Sequence, residues 1–325
     1  MITILAVEVR EASPVLDQNR LMVGCFGSEF IFVQSTEEAL HILNTRTIDV
    51  LLVNSPIYSL YRCAKDKSKG LKTILYSNIT MEEYAAELDG EQTELLDHFV
   101  FCRNDNRFSQ LELLTTLQKL IRSDIFGLEK YLEAGYAMES FPIVGTASRD
   151  ILALEVENFC RKAYLSANAT RRAKAIVEEL LMNAIYDAPV AAGLTAYEDK
   201  RSDSFTLEVN EQSVLKLGCD SEVLLISVRD PFGAFKREKF YEYASKILLR
   251  TDNERLVDTK SGGAGLGIFK MLYDSQGLIV NIWPGTATEV LAIIELNTKS
   301  QSFSKAGRSL HYFMQTTPPI EVAIK

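Results

Sequence analysis

The sequence predicts an α/β protein in two domains, and three observations carry that expectation. The chain has 325 residues, a length that points to two cores rather than one. Apolar, β-branched runs alternate with helix-like stretches through the first third of it. Hydrophobic residues make up 47% and charged residues 24%, so both halves can bury real cores.

The strand-like runs of the first half are Ile2–Val7, Phe30–Val33, Val50–Val53, Thr73–Tyr76 and His98–Phe101. Helical spacing shows between them, in Thr36–Leu43 and in Phe108–Ile121, where Leu114, Leu117 and Ile121 share one face. Strands alternating with helices predict a doubly wound parallel sheet over residues 1–123. The order and spacing resemble a response-regulator receiver domain, although any flavodoxin-like α/β domain shows the same alternation. A receiver needs an acidic pair after its first strand, a phosphoacceptor aspartate ending the third, a Ser or Thr ending the fourth and a Lys ending the fifth. Here Glu8 and Glu11 stand near the first strand, the third runs into Asn54-Ser55-Pro56, and Ser77 can fill the fourth place. The fifth strand runs into Cys102-Arg103-Asn104, without lysine. The resemblance therefore implies a degenerate receiver that is not phosphorylated. Residues 124–140 contain no Gly/Ser- or Pro-rich tract and read as an ordered, partly helical connector.

The formal net charge of −9 argues against nucleic acid as the main partner, because phosphate contacts need a clustered basic surface. No apolar stretch is long enough to cross a bilayer, and Met1-Ile2-Thr3-Ile4 lacks the basic flank of a signal peptide, so a cytoplasmic protein is expected. Cys25, Cys63, Cys102, Cys160 and Cys219 are scattered and form no Cys-x-x-Cys pair, which fits reduced, mostly buried thiols. The histidines, His41, His98 and His311, read as structural or surface residues.

Three motifs in the second half carry chemistry. In Glu178-Glu179-Leu180-Leu181-Met182-Asn183, within an amphipathic stretch running to Asp187 and ended by Pro189, Glu179 and Asn183 project from one helical face. A carboxylate there can act as general base, and a neutral amide oxygen beside it can ligate Mg²⁺; a solvated Glu and a capping Asn would look the same. Asp230-Pro231-Phe232-Gly233 follows the strand Val223–Val228. A carboxylate there can accept from the exocyclic amine of adenine, while Gly233 lets the backbone pass close to the base; a plain turn is the alternative. Ser261-Gly262-Gly263-Ala264-Gly265-Leu266-Gly267 runs into the apolar helix Ile268–Tyr273 and exposes successive backbone N–H groups, an arrangement suited to phosphates.

In this order the motifs resemble the GHKL ATPases, the superfamily of gyrase, histidine kinases and heat-shock chaperones. The resemblance implies an α/β sandwich of the Bergerat type over residues 141–298, a mixed sheet with helices on one face, binding ATP and Mg²⁺. It makes Glu179 the catalytic base, Asn183 the Mg²⁺ ligand and Asp230 the adenine reader. Gly263, Gly265 and Gly267 become the phosphate-facing loop, with Ala264 and Leu266 between them. Asp187, Gly233 and Lys260 are further nucleotide-binding positions, and Thr288, in the hairpin Pro284–Val290, supports the adenine pocket. Ala234 to Gly262, carrying Lys236, Arg237, Lys239, Lys246, Arg250 and Lys260, becomes the lid over the nucleotide. The family's adenine box is Asp-x-Gly-x-Gly, whereas here glycine falls three residues after Asp230 and Ala234 takes the second glycine place, a departure that bears on adenine geometry.

No histidine sits in the context a self-phosphorylating histidine kinase needs. The closer resemblance is to the anti-sigma-factor serine kinases, through Phe141-Pro142-Ile143-Val144, Ala147-Ser148-Arg149-Asp150-Ile151 and the acid–Asn helix. It implies a serine/threonine kinase acting on a small regulatory protein, of anti-anti-sigma or sigma-like kind, with the receiver-like half as regulator. Such relatives commonly dimerise, so a homodimer is an expectation of the resemblance. Two other readings stay open: a non-catalytic module whose lid orders on ATP and gates partner binding, and a histidine-kinase half acting in trans. Residues 299–325 read as a polar tail with a frayed end.

Overall fold

A computed structural model describes residues 1–9, 15–68, 70–86, 96–103, 107–198, 200, 203–240, 266–296 and 307–318. The protein is mixed α/β, with both parallel and antiparallel strands. Its chain divides into two units, Met1–Asp124 with Gly307–His311 and Thr317–Lys325, and Ile125–Ala306 with Tyr312–Thr316.

In the first unit the five apolar runs become β1 (Thr3–Val7), β2 (Glu29–Val33), β3 (Val50–Val53), β4 (Lys72–Ser77) and β5 (His98–Phe101). They pair in parallel in the order β2-β1-β3-β4-β5. A central parallel strand is covered on both faces and must be apolar at every position rather than alternately. All four residues of β3 are accordingly buried. The helices are α1 (Gln18–Gly24), α2 (Thr36–Thr45), α3 (Tyr58–Lys67), α4 (Met81–Ala86) and α5 (Arg107–Arg122). Asp17 caps α1 by accepting the Arg20 N–H, and Ser35 caps α2 by accepting the Glu38 N–H.

The places the receiver resemblance singles out are occupied by structural contacts. Asn54 is buried and its Oδ1 accepts the Val9 N–H at 2.9 Å, tying the ends of β3 and β1 together. Glu8 accepts from Gln18, and Ser77 Oγ accepts the Ile79 N–H. Arg103 reaches the carbonyls of Phe101 and Gly307. Glu11 and Asn104 lie outside the described residues.

The region read as a polar tail instead contains the strand β11 (Ser309–Met314), whose Leu310 and His311 pair antiparallel with Phe99 and His98. The reason is a carboxyl group that sequence periodicity does not expose. Glu112 of α5 is fully buried, and Ser309 donates its hydroxyl to it at 2.9 Å while His311 Nε2 lies 3.2 Å away. Ser309 in turn accepts the Phe101 N–H at 3.0 Å. A buried carboxyl group without partners would be costly, so β11 completes the core around it. His98 and His311 are both buried, with facing Nδ1 atoms 3.4 Å apart, and burial holds the His98 imidazole well below its usual range. His41 is exposed.

In the second unit β6 (Ala137–Ile143), β7 (Ser213–Cys219), β8 (Val223–Asp230), β9 (Gly277–Trp283) and β10 (Ala287–Glu295) pair antiparallel in the order β9-β10-β8-β7-β6. The helices are α6 (Ser148–Lys162), α7 (Ala167–Met182), α8 (Ala188–Ala191) and α9 (Leu266–Asp274). α7 packs on β8 and β10, with α6 and α9 beside it. Ser166 caps α7 by accepting the Ala169 N–H.

The connector is ordered, and its last residues belong to the sheet: β6 begins at Ala137 rather than Phe141. A 3₁₀ turn, Leu128–Tyr131, packs on β7 and β8. Gly218 makes room for it, because a Cβ there would lie 2.5 Å from Leu128 Cδ1 and 2.7 Å from Leu132 Cδ1. Gly127 donates its N–H to the buried Glu289 at 3.0 Å, and the Arg229 guanidinium sits 4.2 Å from the centre of the Phe126 ring. Among the described residues all five cysteines are free, and no helix is long and apolar enough to cross a membrane.

Glu112→Ala is expected to cost about 3 kcal/mol, the order found when one member of a buried polar pair is removed. It should also make residues 307–316 sensitive to limited proteolysis. Wild-type protease resistance of that segment in the variant would show that Glu112 does not hold the strand.

Candidate functional site

The site grows from the C-terminal end of α7. After Met182 the helix widens into a π-helical turn, Asn183–Asp187, in which the Ala188 N–H donates to the Asn183 carbonyl, one residue wider than an α turn. It then continues as α8 to Ala191, so Pro189 does not end the helix as its position in the sequence implies. Proline has no N–H, and its ring clashes with the carbonyl one α turn back. The wide turn directly before Pro189 changes the register there. Gly193, at φ +88°, ends the helical run. Single π turns of this kind concentrate at functional sites, because they turn side chains out of the regular helical stripe.

Asn183 and Asp187 face a cavity of about 240 Å³. One wall is helical, with Leu180, Ala184, Ala188 and Ala191 at helical spacing. The other is the sheet, through Val228 and Asp230 of β8, Leu278 and Val280 of β9, and Thr288 and Val290 of β10. Strand alternation explains this division. Asp230 pairs with Thr288 and Val228 with Val290, so these four point to the helical face, while Arg229 and Glu289 point to the connector. The lining is mainly apolar with few polar groups, the usual make-up of a small-molecule site.

Asp230 is the polar focus. Burial raises its carboxyl pKa above the usual 3.8, partly offset by the N–H groups of Phe232 and Gly233 and by Thr288. Its Oδ1 accepts those two N–H groups at 2.9 and 3.3 Å. Gly233 adopts φ +62°, and a Cβ on it would lie 2.2 Å from the Trp283 carbonyl and 2.7 Å from the N atoms of Gly285 and Thr286. Glycine is required here because the turn after Asp230 presses against the β9–β10 hairpin. The glycine expected to lie against a ligand thus lies against the protein's own backbone. Ala234 lines the cavity, as do Phe235, Lys236 and Lys239.

The acid–Asn pair and the start of α9 come together beside this cavity. A Cβ on Gly267 would lie 2.8 Å from Glu179 Oε2 and 4.0 Å from Asn183 Oδ1. Glu179 also accepts from Lys270 Nζ at 2.5 Å, an ion pair that raises the lysine pKa. The neighbouring Glu178 does different work. It is ion-paired to Arg149 of α6, which joins the two helices and raises the arginine pKa.

Glu179, Asn183, Asp187, Asp230, Gly233, Gly267 and Thr288 therefore lie at or beside one cavity. Leu266 begins α9. Lys260, Gly263, Ala264 and Gly265 lie outside the described residues, as do Lys246 and Arg250. Sequence reasoning missed Lys270 and the apolar lining. The helical spacing of Leu180, Ala184, Ala188 and Ala191 was a signal for the lining; the reach of Lys270 to Glu179, across 91 positions, left none. No group of three or more His, Cys, Asp or Glu side chains placed to hold a metal occurs among the described residues. An amide oxygen beside one carboxylate suits a cation that takes its other ligands from phosphates and water, as Mg²⁺ does.

Gly233→Ala should destabilise the second unit by about 1–3 kcal/mol, the cost of a strained φ together with a backbone clash. Trp283, the one tryptophan, makes fluorescence-monitored urea unfolding the measurement, and an unchanged midpoint would contradict the close approach. Compared with known proteins, the sequence matches no family model and no curated protein.

Proposed function

We propose that the second unit binds ATP with Mg²⁺ in this cavity, as a GHKL-type domain, and that it phosphorylates a hydroxyl on a regulatory protein partner. The observation that carries the ATP reading is Asp230, a half-buried carboxylate lining a mostly apolar slot and paired in register with Thr288, which suits it to accept from a heterocyclic amine. The apolar walls suit the faces of a purine, and a carboxylate in such a site discriminates strongly for a donor edge.

Bound Mg²⁺ would neutralise charge on the triphosphate, and the Asn183 amide oxygen, within reach of the start of α9, would hold it. Glu179 is the group available to take a proton from an attacking hydroxyl. In that step the oxygen bonds to the γ-phosphorus, the bond to the β-phosphate oxygen breaks, and ADP leaves. One observation favours a second reading, a non-catalytic module gated by ATP. Glu179 is engaged by Lys270, and a carboxylate held in an ion pair is not open to an attacking hydroxyl.

The first unit's strand order, β2-β1-β3-β4-β5, supports a flavodoxin-like reading of it. We read it as a degenerate receiver that regulates without phosphorylation, since Asn54 is committed to the Val9 backbone. An ATP-dependent domain acting on a protein partner would work in the cytoplasm.

The test is titration calorimetry with ATP, with and without Mg²⁺. Wild type should bind in a Mg²⁺-dependent way, and Asn183→Ala and Asp230→Asn should each weaken binding by about tenfold or more. Acid should weaken wild-type binding as pH falls through the raised Asp230 pKa. The sign follows because the ionised carboxylate accepts from the base, and its protonation begins above the ordinary aspartate range. The same group adds no acid-labile stability to the free protein, since its charged form is the one that burial disfavours. Asp230→Asn should lose this pH dependence. Absence of binding by folded wild type would sink the ATP reading.

A further inference from the structure

We propose that Lys270 senses the terminal phosphate, exchanging its ion pair with Glu179 for the γ-phosphate and releasing Glu179 as it does so. The inference rests on the ATP reading and extends it to a residue the motifs do not include.

Three observations carry it. First, Glu179 is nearly enclosed. Its side chain is 17% exposed, with Oε1 on Lys270 Nζ and Oε2 facing Gly267, where even a methyl group would intrude. Second, Lys270 is 65% exposed on the same pair, so its chain is free to swing to a new anion while Glu179 stays fixed. Third, Asn183, one turn along the helix from Glu179, lines the cavity while Glu179 and Lys270 lie beyond the lining. A nucleotide whose base met Asp230 and whose Mg²⁺ was held by Asn183 would bring its farthest phosphate toward the Glu179–Lys270 pair.

The electrostatics decide how the pair must behave. A lone Glu179 carboxylate would repel the terminal phosphate, and Lys270 masks it. An arriving γ-phosphate carries more charge than one carboxylate and competes for the ammonium. ADP, one phosphate shorter, leaves the Glu179–Lys270 pair intact. Lys270 thus gives the site its preference for ATP over ADP, and it occupies Glu179 until ATP arrives.

The experiment compares Mg²⁺-ATP and Mg²⁺-ADP affinities by calorimetry for wild type, Lys270→Ala, Lys270→Arg, Glu179→Gln and the double variant Glu179→Gln/Lys270→Ala. Fluorescence-monitored unfolding confirms that each is folded. Lys270→Ala should lose about tenfold in ATP affinity while ADP affinity stays within about twofold, the scale of one charge-assisted contact. Lys270→Arg should retain most of the preference. Glu179→Gln, which frees the lysine, should bind ATP more tightly than wild type, and the double variant should lose that gain. Equal small losses for ATP and ADP in Lys270→Ala would show an ordinary surface ion pair and overturn the proposal while leaving ATP binding intact. Wild type that binds neither nucleotide would overturn the ATP reading itself, and the Lys270 proposal with it.

Discussion

The site depends on the antiparallel pairing of β8 with β10. Its register sets Asp230 against Thr288 and Arg229 against Glu289. Because strand side chains alternate, one pair faces the cavity and the other faces the connector. A one-residue slip of β8 would put Arg229 into the apolar slot and Asp230 against Phe126 and Gly127, and a slip of β10 would put Glu289 into the slot. Glu289 guards against that slip. It is buried, it accepts from Gly127 at 3.0 Å and from Asn281 at 2.8 Å, and both bonds would be lost in another register. The cavity and the connector are thus served by adjacent residues of the same two strands.

The same economy appears in the helices. α7 must bury one face on the sheet, yet also turn Asn183 and Asp187 toward the cavity. The π turn reconciles the two demands and accommodates Pro189. At the other side of the cavity, Gly233 lets the chain turn back on the β9–β10 hairpin, so the N–H groups of Phe232 and Gly233 fall on the Asp230 carboxylate. Those donors offset part of the burial cost that raises its pKa. The result is a carboxylate held at the edge of an apolar slot.

Much of this was legible in the sequence where one residue type has one strong reason to be present. The five parallel strands fall where the apolar runs are, most plainly β3, which is apolar throughout because both its faces are covered. The residues proposed for the site were legible as motifs, and Glu179, Asn183 and Gly267 do meet. What stayed hidden depends on long-range partners. β11 is short and lies in a polar region, and it forms because Glu112 needs Ser309 and His311. The early start of β6 was masked because its first residues, Ala137 and Met138, are exposed. Pro189 signals a helix end in isolation, and only the preceding wide turn cancels that signal.

A nucleotide bound as proposed would fill the slot between α7 and the β8–β10 pair, with its phosphates toward the start of α9. Native-state amide hydrogen exchange with and without Mg²⁺-ATP tests it most directly. Exchange should slow at Asn183–Asp187, at Phe232–Phe235 and in the first turn of α9, with the β1–β5 sheet unchanged. Protection confined to the first unit, or no protection at ATP concentrations that saturate the protein, would contradict it.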